Sequence, residues 1–178
     1  GWTLFAGSDE DLRFVAQNHA ALGAVFTLTT PAWDKVRWTY DKRRMNARAA
    51  ELGIAHPLTR YPQTRDELAE LGIPFPVILK PAIREGRNAL TDAKAWRIDD
   101  EPTLLERYEE AEALVGAGSV MIQELIPGDG TTQFSYAAVW DRGRPVGSLL
   151  ARRRRQYPIE FGFTSTFVET IELPEVEA

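Results

Sequence analysis

The sequence predicts an α+β architecture of two lobes, preceded by the end of an α/β unit. Three observations carry this. A strand–helix–strand pattern fills the first thirty residues. Two apolar runs, 75–80 and 120–124, bracket a strand and a long helix. The last third alternates in strand fashion about an Asp141-Arg142-Gly143-Arg144 turn.

In order, residues 2–6 predict a strand. Ser8 then caps a helix, with Asp9, Glu10 and Asp11 in the first turn. Leu12, Val15, Ala16, His19 and Leu22 recur at helical spacing, so one helix is expected as far as Gly23, with His19 on its buried side. A second strand covers 24–29. A short helix covers 31–40, and Asp41 caps another over 42–52, which Gly53 stops. Residues 54–60 read as a loop with Pro57 that leads to a short strand, and a helix over 66–71 ends at Gly72. After the strand 75–80, residues 84–92, with Gly86 and Asn88, read as irregular. A strand follows at 95–98, then a helix over 101–115 with Pro102 in its first turn and Gly116 at its end, then the strand 120–124. Residues 133–141 and 145–154 pair as a hairpin, and 164–173 form the last strand. Trp33, Trp38, Trp96 and Trp140 are expected to pack inside.

At 178 residues the chain can bury one core, or two small lobes sharing a cleft. A formal charge of -5 argues against general affinity for nucleic acid. Without cysteine there is no disulfide, thiolate nucleophile or Cys-based metal site, and two histidines are too few for a His-rich centre. No apolar stretch approaches the ~20 residues that span a bilayer, and the first residues do not resemble a signal peptide, so no membrane partner and a cytoplasmic location are expected. The chain starts on Gly1, almost within a strand, and stops in an acidic tail, which suggests a piece of a longer protein.

Two segments carry chemistry. Phe75-Pro76-Val77-Ile78-Leu79-Lys80-Pro81-Ala82 is an apolar run that ends on a lysine. Such a charge is costly at the end of a buried strand unless it meets an anion or the strand emerges at a site. Val120-Met121-Ile122-Gln123-Glu124-Leu125-Ile126-Pro127-Gly128-Asp129-Gly130 is an apolar run that ends on a polar pair and a Pro-Gly turn. Together the strands would offer a cation to phosphates and a backbone segment to a base, as when a nucleotide lies between two lobes.

These segments, with Tyr40-Asp41-Lys42 before them and the 152–162 stretch after them, resemble an ATP-grasp domain in that order. The similarity is greatest to carboxylate–amine ligases of the carbamoyl-phosphate-synthetase and D-aspartate-ligase-like type. It implies that residues 1–40 end a preceding α/β domain, 41–124 form the first, lid lobe, and 125–178 begin the second, incomplete lobe. It also implies ATP as cofactor, with Lys42 and Lys80 on the phosphates. Backbone groups of Gln123, Glu124 and Ile126 would meet the adenine edge, Asp129 the ribose hydroxyls, and Lys94 would belong to a flap over the phosphates. That flap has only Gly86 where many relatives are glycine-rich. The family's Glu-x-Asn magnesium pair is missing from this sequence, so Mg2+ ligands are expected outside this chain, and the piece is expected to be inactive alone.

Arg152-Arg153-Arg154-Arg155 would alternate on a strand, two facing a cleft and two facing away. The resemblance implies that Arg153 and Arg155 meet phosphate or a carboxylate substrate. A solvated basic edge, or a nucleic-acid patch, are the other readings; little aromatic interleaving precedes Tyr157, which speaks against nucleic acid. The implied function is activation of a small carboxylate by ATP as an acyl phosphate, followed by attack of an amine. The alternative is a nucleotide-binding regulatory module without chemistry. Oligomeric state stays open.

Overall fold

The structure, a computed structural model, describes residues 1–128, 132–157, 159, 161–162 and 164–174. It divides into two compact units. The first holds Gly1–Thr91 and Trp96–Leu125; the second holds Asp92–Ala95 and the residues from Ile126 onward.

The first unit opens with strands β1 (Trp2–Leu4) and β2 (Phe26–Leu28), paired in parallel with Trp2 beside Phe26 and Leu4 beside Leu28. Parallel pairing requires a crossover, which the intervening helices supply. The single helix expected there is two: α1 (Asp9–Gln17) and α2 (His19–Gly23). Ser8 caps α1 as read, its Oγ accepting from the Asp11 N–H at 3.0 Å. The break is at Asn18, whose side chain donates back to the Phe14 carbonyl at 2.8 Å and competes with the helical ladder. His19 therefore starts a new turn and is half-buried rather than a core residue.

Helices α3 (Trp33–Tyr40) and α4 (Lys42–Glu51) meet at Asp41, which ends one and caps the other in an extended conformation, φ −100°, ψ 114°. A four-stranded antiparallel sheet follows, in the order β3 (Thr59–Arg60), β6 (Val120–Glu124), β4 (Val77–Pro81), β5 (Trp96–Ile98). Period-2 alternation sends Val77, Leu79, Val120 and Ile122 into one core with Leu104, Tyr108 and Ala111 of α6 (Glu101–Val115). Asp100 caps α6, accepting from the Thr103 N–H at 2.9 Å. Ile78, Lys80, Met121 and Gln123 are left on the opposite face of the sheet.

Three expectations change here. The short strand β3 falls at Thr59–Arg60, inside the 54–60 stretch read as a loop. The stretch 66–71 is a 3-10 turn over Asp66–Glu70. The stretch 84–92, read as irregular, contains helix α5 (Ala89–Ala93). Asn88 Oδ1 accepts from the Leu90 and Thr91 N–H groups, both at 3.0 Å, which is N-capping, and Leu90 is fully buried. The residue taken as a loop former is the cap.

The second unit is a three-stranded antiparallel sheet, β7 (Phe134–Asp141), β8 (Arg144–Tyr157) and β9 (Thr164–Ile171). The hairpin turns through Arg142 (φ 50°) and Gly143 (φ 79°), the two positive-φ positions of a two-residue connection. Strand β8 runs three residues beyond its expected end at 154. Trp140 is 57% exposed, and Trp38 also lies outside the core, against the expectation that both pack inside. Among the described residues no helix is long and apolar enough to cross a membrane.

Candidate functional site

The face of the four-stranded sheet opposite the core borders a cavity of about 650 Å³ within the first unit. Lys80, Met121 and Gln123 line it from β4 and β6. Helix α4 contributes Lys42, Met45, Asn46 and Ala49, which fall at i, i+3, i+4 and i+7 and so share one helical face. Trp38 of α3 and the 54–57 segment complete the wall. The cations Lys42, Arg48 and Lys80 and the amides of Asn46 and Gln123 are thus set in a largely apolar hollow.

Lys42 is held at three points. Its backbone N–H donates to the Ala82 carbonyl at 3.2 Å, and its ammonium lies 3.3 Å from the Pro81 carbonyl and 3.5 Å from that of Ala82. Its own carbonyl accepts from the Tyr61 hydroxyl at 3.3 Å, which in turn accepts from Asn46 Nδ2 at 2.8 Å. Burial pushes the Lys42 pKa below its ordinary value; Arg84 adds to this, while Asp9 and Asp41 oppose it. Backbone carbonyls orient the ammonium without cancelling its charge.

Lys80 donates to Gln123 Oε1 at 3.1 Å. Gln123 is buried, and its Nε2 donates to Thr59 Oγ1 at 2.9 Å across the β3–β6 pair. The Thr59 hydroxyl donates to the Pro57 carbonyl at 2.8 Å.

The end of β6 departs from a regular ladder. Glu124 N–H donates to the Leu58 carbonyl at 2.9 Å. The Leu58 N–H returns to the Glu124 side chain, Oε1, at 2.9 Å, instead of to the Glu124 carbonyl. Leu125 N–H donates to the Pro76 carbonyl at 3.3 Å, and Pro76 has no N–H to give back. The donors of Glu124 and Leu125 are thereby used, and the carbonyls of both residues lose their ladder partners.

The remaining sequence-predicted residues stand elsewhere. Lys94 lies in the second unit with a positive φ of 70°, its ammonium 2.7 Å from the Gly162 carbonyl. Arg153 donates to Gln156 Oε1 at 2.9 Å and lies 3.5 Å from the same Gly162 carbonyl. Arg155 is exposed, and simple alternation fails around it: Arg155 pairs with Phe167 while Arg154 and Thr166 are skipped. Arg154, not singled out from the sequence, pairs with Glu169 at 2.6 Å. Ile126 is exposed and begins the second stretch of the second unit. Asp129 lies outside the described residues.

Sequence reasoning missed Met45, Asn46, Thr59, Tyr61 and Met121. The helical spacing of Met45 and Asn46 from Lys42, and the strand spacing of Met121 from Gln123, were signals that could have found three of them. Thr59 and Tyr61 have no local signal, since only the pairing of β3 with β6 and the packing of α4 bring them in.

Among the described residues no group of three or more His, Asp or Glu side chains could hold a metal ion.

No protein-family model and no curated protein matches the chain. Solved structures do. The D-alanine–D-alanine ligase of Bacillus anthracis, complexed with ATP, is 20% identical with a TM-score of 0.58, over 92% of this chain and 50% of that one. The D-alanine–D-alanine ligase of Helicobacter pylori is 16% identical with a TM-score of 0.63, over 97% and 52%. The ATP-grasp ligase PsnB, complexed with a phosphomimetic variant of its minimal precursor, Mg and ADP, is 18% identical with a TM-score of 0.54, over 95% and 47%. The chain spans about half the length of each of these ligases. It has the ATP-grasp fold, as the resemblance in its sequence implied.

Proposed function

We propose that this chain is the nucleotide-binding part of an ATP-dependent carboxylate–amine ligase. The observation that carries the reading is the placement of Lys42 and Lys80, 38 positions apart in sequence, on the walls of one cavity with Gln123 between β3 and β4. Adjacent phosphates repel one another and need fixed positive charge, and two oriented ammonium groups supply it. The carbonyls left at the end of β6 suit the exocyclic amine of adenine and disfavour a 6-oxo purine, whose oxygen would face them. The fold supports the same reading, since solved ligases that share it include one complexed with ATP and one with ADP.

In the parent reaction a carboxylate oxygen attacks the γ-phosphorus, and ADP leaves with the bridging oxygen. An amine then attacks the acyl carbon and phosphate departs. Positioning and charge neutralisation carry most of such a transfer, so no covalent nucleophile on the protein is needed. Lys94, Arg153 and Arg155 are the proposed further cations, Asp129 the proposed ribose partner, and a small carboxylate and an amine the substrates.

Calorimetric titration of MgATP and MgADP tests this. Lys80→Ala should weaken binding at least tenfold, about 1.4 kcal/mol or more. Equal affinity in the folded variant, or no nucleotide binding by the wild-type chain extended through the parent's second lobe, would overturn it.

A further inference from the structure

Thr59 lies outside every motif that marks the chain as nucleotide-binding, yet it ends a polar relay that starts at Lys80. We infer that Thr59 is a positioning residue: it sets the orientation of the Gln123 amide, and through it the direction in which the Lys80 ammonium faces the cavity. The inference rests on the reading of this cavity as a nucleotide site.

The argument is one of donor and acceptor polarity. The two ends of a glutamine amide have nearly the same shape and opposite hydrogen-bonding character, so the surroundings must decide which end points where. The Pro57 carbonyl can only accept, and it takes the Thr59 hydroxyl proton at 2.8 Å. Thr59 Oγ1 then has only lone pairs to offer Gln123, so the amide NH2 must face Thr59, at 2.9 Å. The amide oxygen is thereby turned towards Lys80, at 3.1 Å. Gln123 is buried, so an NH2 left without an acceptor would be costly, and a flipped amide would point its donors at an ammonium group. The short edge strand β3 thus serves to fix the polarity of a side chain on its neighbour.

Thr59→Val removes the hydroxyl at nearly constant shape, and Thr59→Ser retains it; Thr59→Ala replaces the valine variant if that one fails to fold. Two quantities are read on folded protein. One is the pH dependence of Lys80 acylation by acetic anhydride, followed by mass spectrometry without nucleotide. The other is MgADP affinity. Thr59→Val should shift the Lys80 acylation profile to lower pH and weaken MgADP binding about threefold or more, the range expected for losing one oriented hydrogen bond. Thr59→Ser should match wild type, and in a Lys80→Ala background Thr59→Val should have no further effect. An unchanged Lys80 profile in Thr59→Val, a serine variant as impaired as the valine one, or additive effects with Lys80→Ala would each overturn the inference. The acylation profile needs no nucleotide. A wild-type chain that fails to bind MgADP would therefore count against the proposed function alone, while the profile still decides the role of Thr59.

Discussion

Lys42 joins two demands that oppose one another: it is buried enough to favour the neutral amine, and under the proposed function a phosphate would favour the cation. Its pKa in the folded chain lies below the ordinary 10.5, so between that lowered value and 10.5 the unfolded chain binds more protons than the folded one. The contribution of Lys42 to stability therefore rises with pH across this alkaline window. Nucleotide affinity should move the other way. A phosphate held by Lys42, as proposed, would draw a proton onto it, so binding should take up protons in the window, and affinity should fall as pH rises through the lowered pKa. Titrations in buffers of different ionisation enthalpy would measure the uptake, and Lys42→Gln should abolish it. The two lysines illustrate what could be read from sequence at this scale. Lys80 is conspicuous because it ends an apolar run, and Lys42 because it follows an N-cap. Their partners, the Pro81 and Ala82 carbonyls for one and Gln123 for the other, are separated from them by up to 43 positions and leave no local trace.

Helix α4 shows how an element prepares a site. Asp41 interrupts the path from α3, caps α4 by accepting the Arg43 N–H at 2.9 Å, and pairs with the Arg43 guanidinium at 2.9 Å; Arg43 also reaches the Gly118 carbonyl at 3.5 Å. Burial would lift the Asp41 pKa, but the Arg43 bonds and charge outweigh it and hold the carboxyl below its ordinary 3.8. Asp41→Ala should cost about 1 kcal/mol, as losses of N-caps typically do, measured by urea unfolding at neutral pH. A depressed carboxyl pKa contributes stability above 3.8 that is lost as pH falls through the folded value, so the gap between wild type and variant should close in acid. The caps of α1 and α4 were legible because Ser8 and Asp41 act on N–H groups two or three residues away, whereas the Asp100 cap of α6 was not read. The break after Gln17 and the helix α5 were not, because Asn18 and Asn88 fit a turn, a cap or a helix end equally well until their side chains choose a partner.

At the scale of the molecule, the four-stranded sheet turns one face to the core and the other to the cavity. Leu79 is fully buried on the core face of β4, beside Ile122 and opposite the side that presents Lys80. Leu79→Ala should therefore destabilise the first unit by about 2–5 kcal/mol, as buried leucine truncations do. Chemical denaturation would read that loss, and amide exchange should show protection falling first across β4 and β6. The neighbouring Lys80→Ala should weaken nucleotide binding while leaving unfolding nearly unchanged. Alternation along residues 77–80 and 120–123 was visible in the sequence, because side-chain direction on a strand depends only on the parity of the residue. Which parity would meet the core, and which the cavity, was decided by what covers each face: α6 on one side, and α4 with the 54–57 segment bordering the other. By itself the sequence determined the fold class, most of the helix and strand positions and two helix caps, all features that act over a few residues, and it made the two lysines conspicuous. Only the tertiary structure decided the strand order β3-β6-β4-β5, and with it the meeting of Thr59 and Gln123 across 64 positions, because antiparallel pairing joins backbones whose separation along the chain carries no signature in either segment.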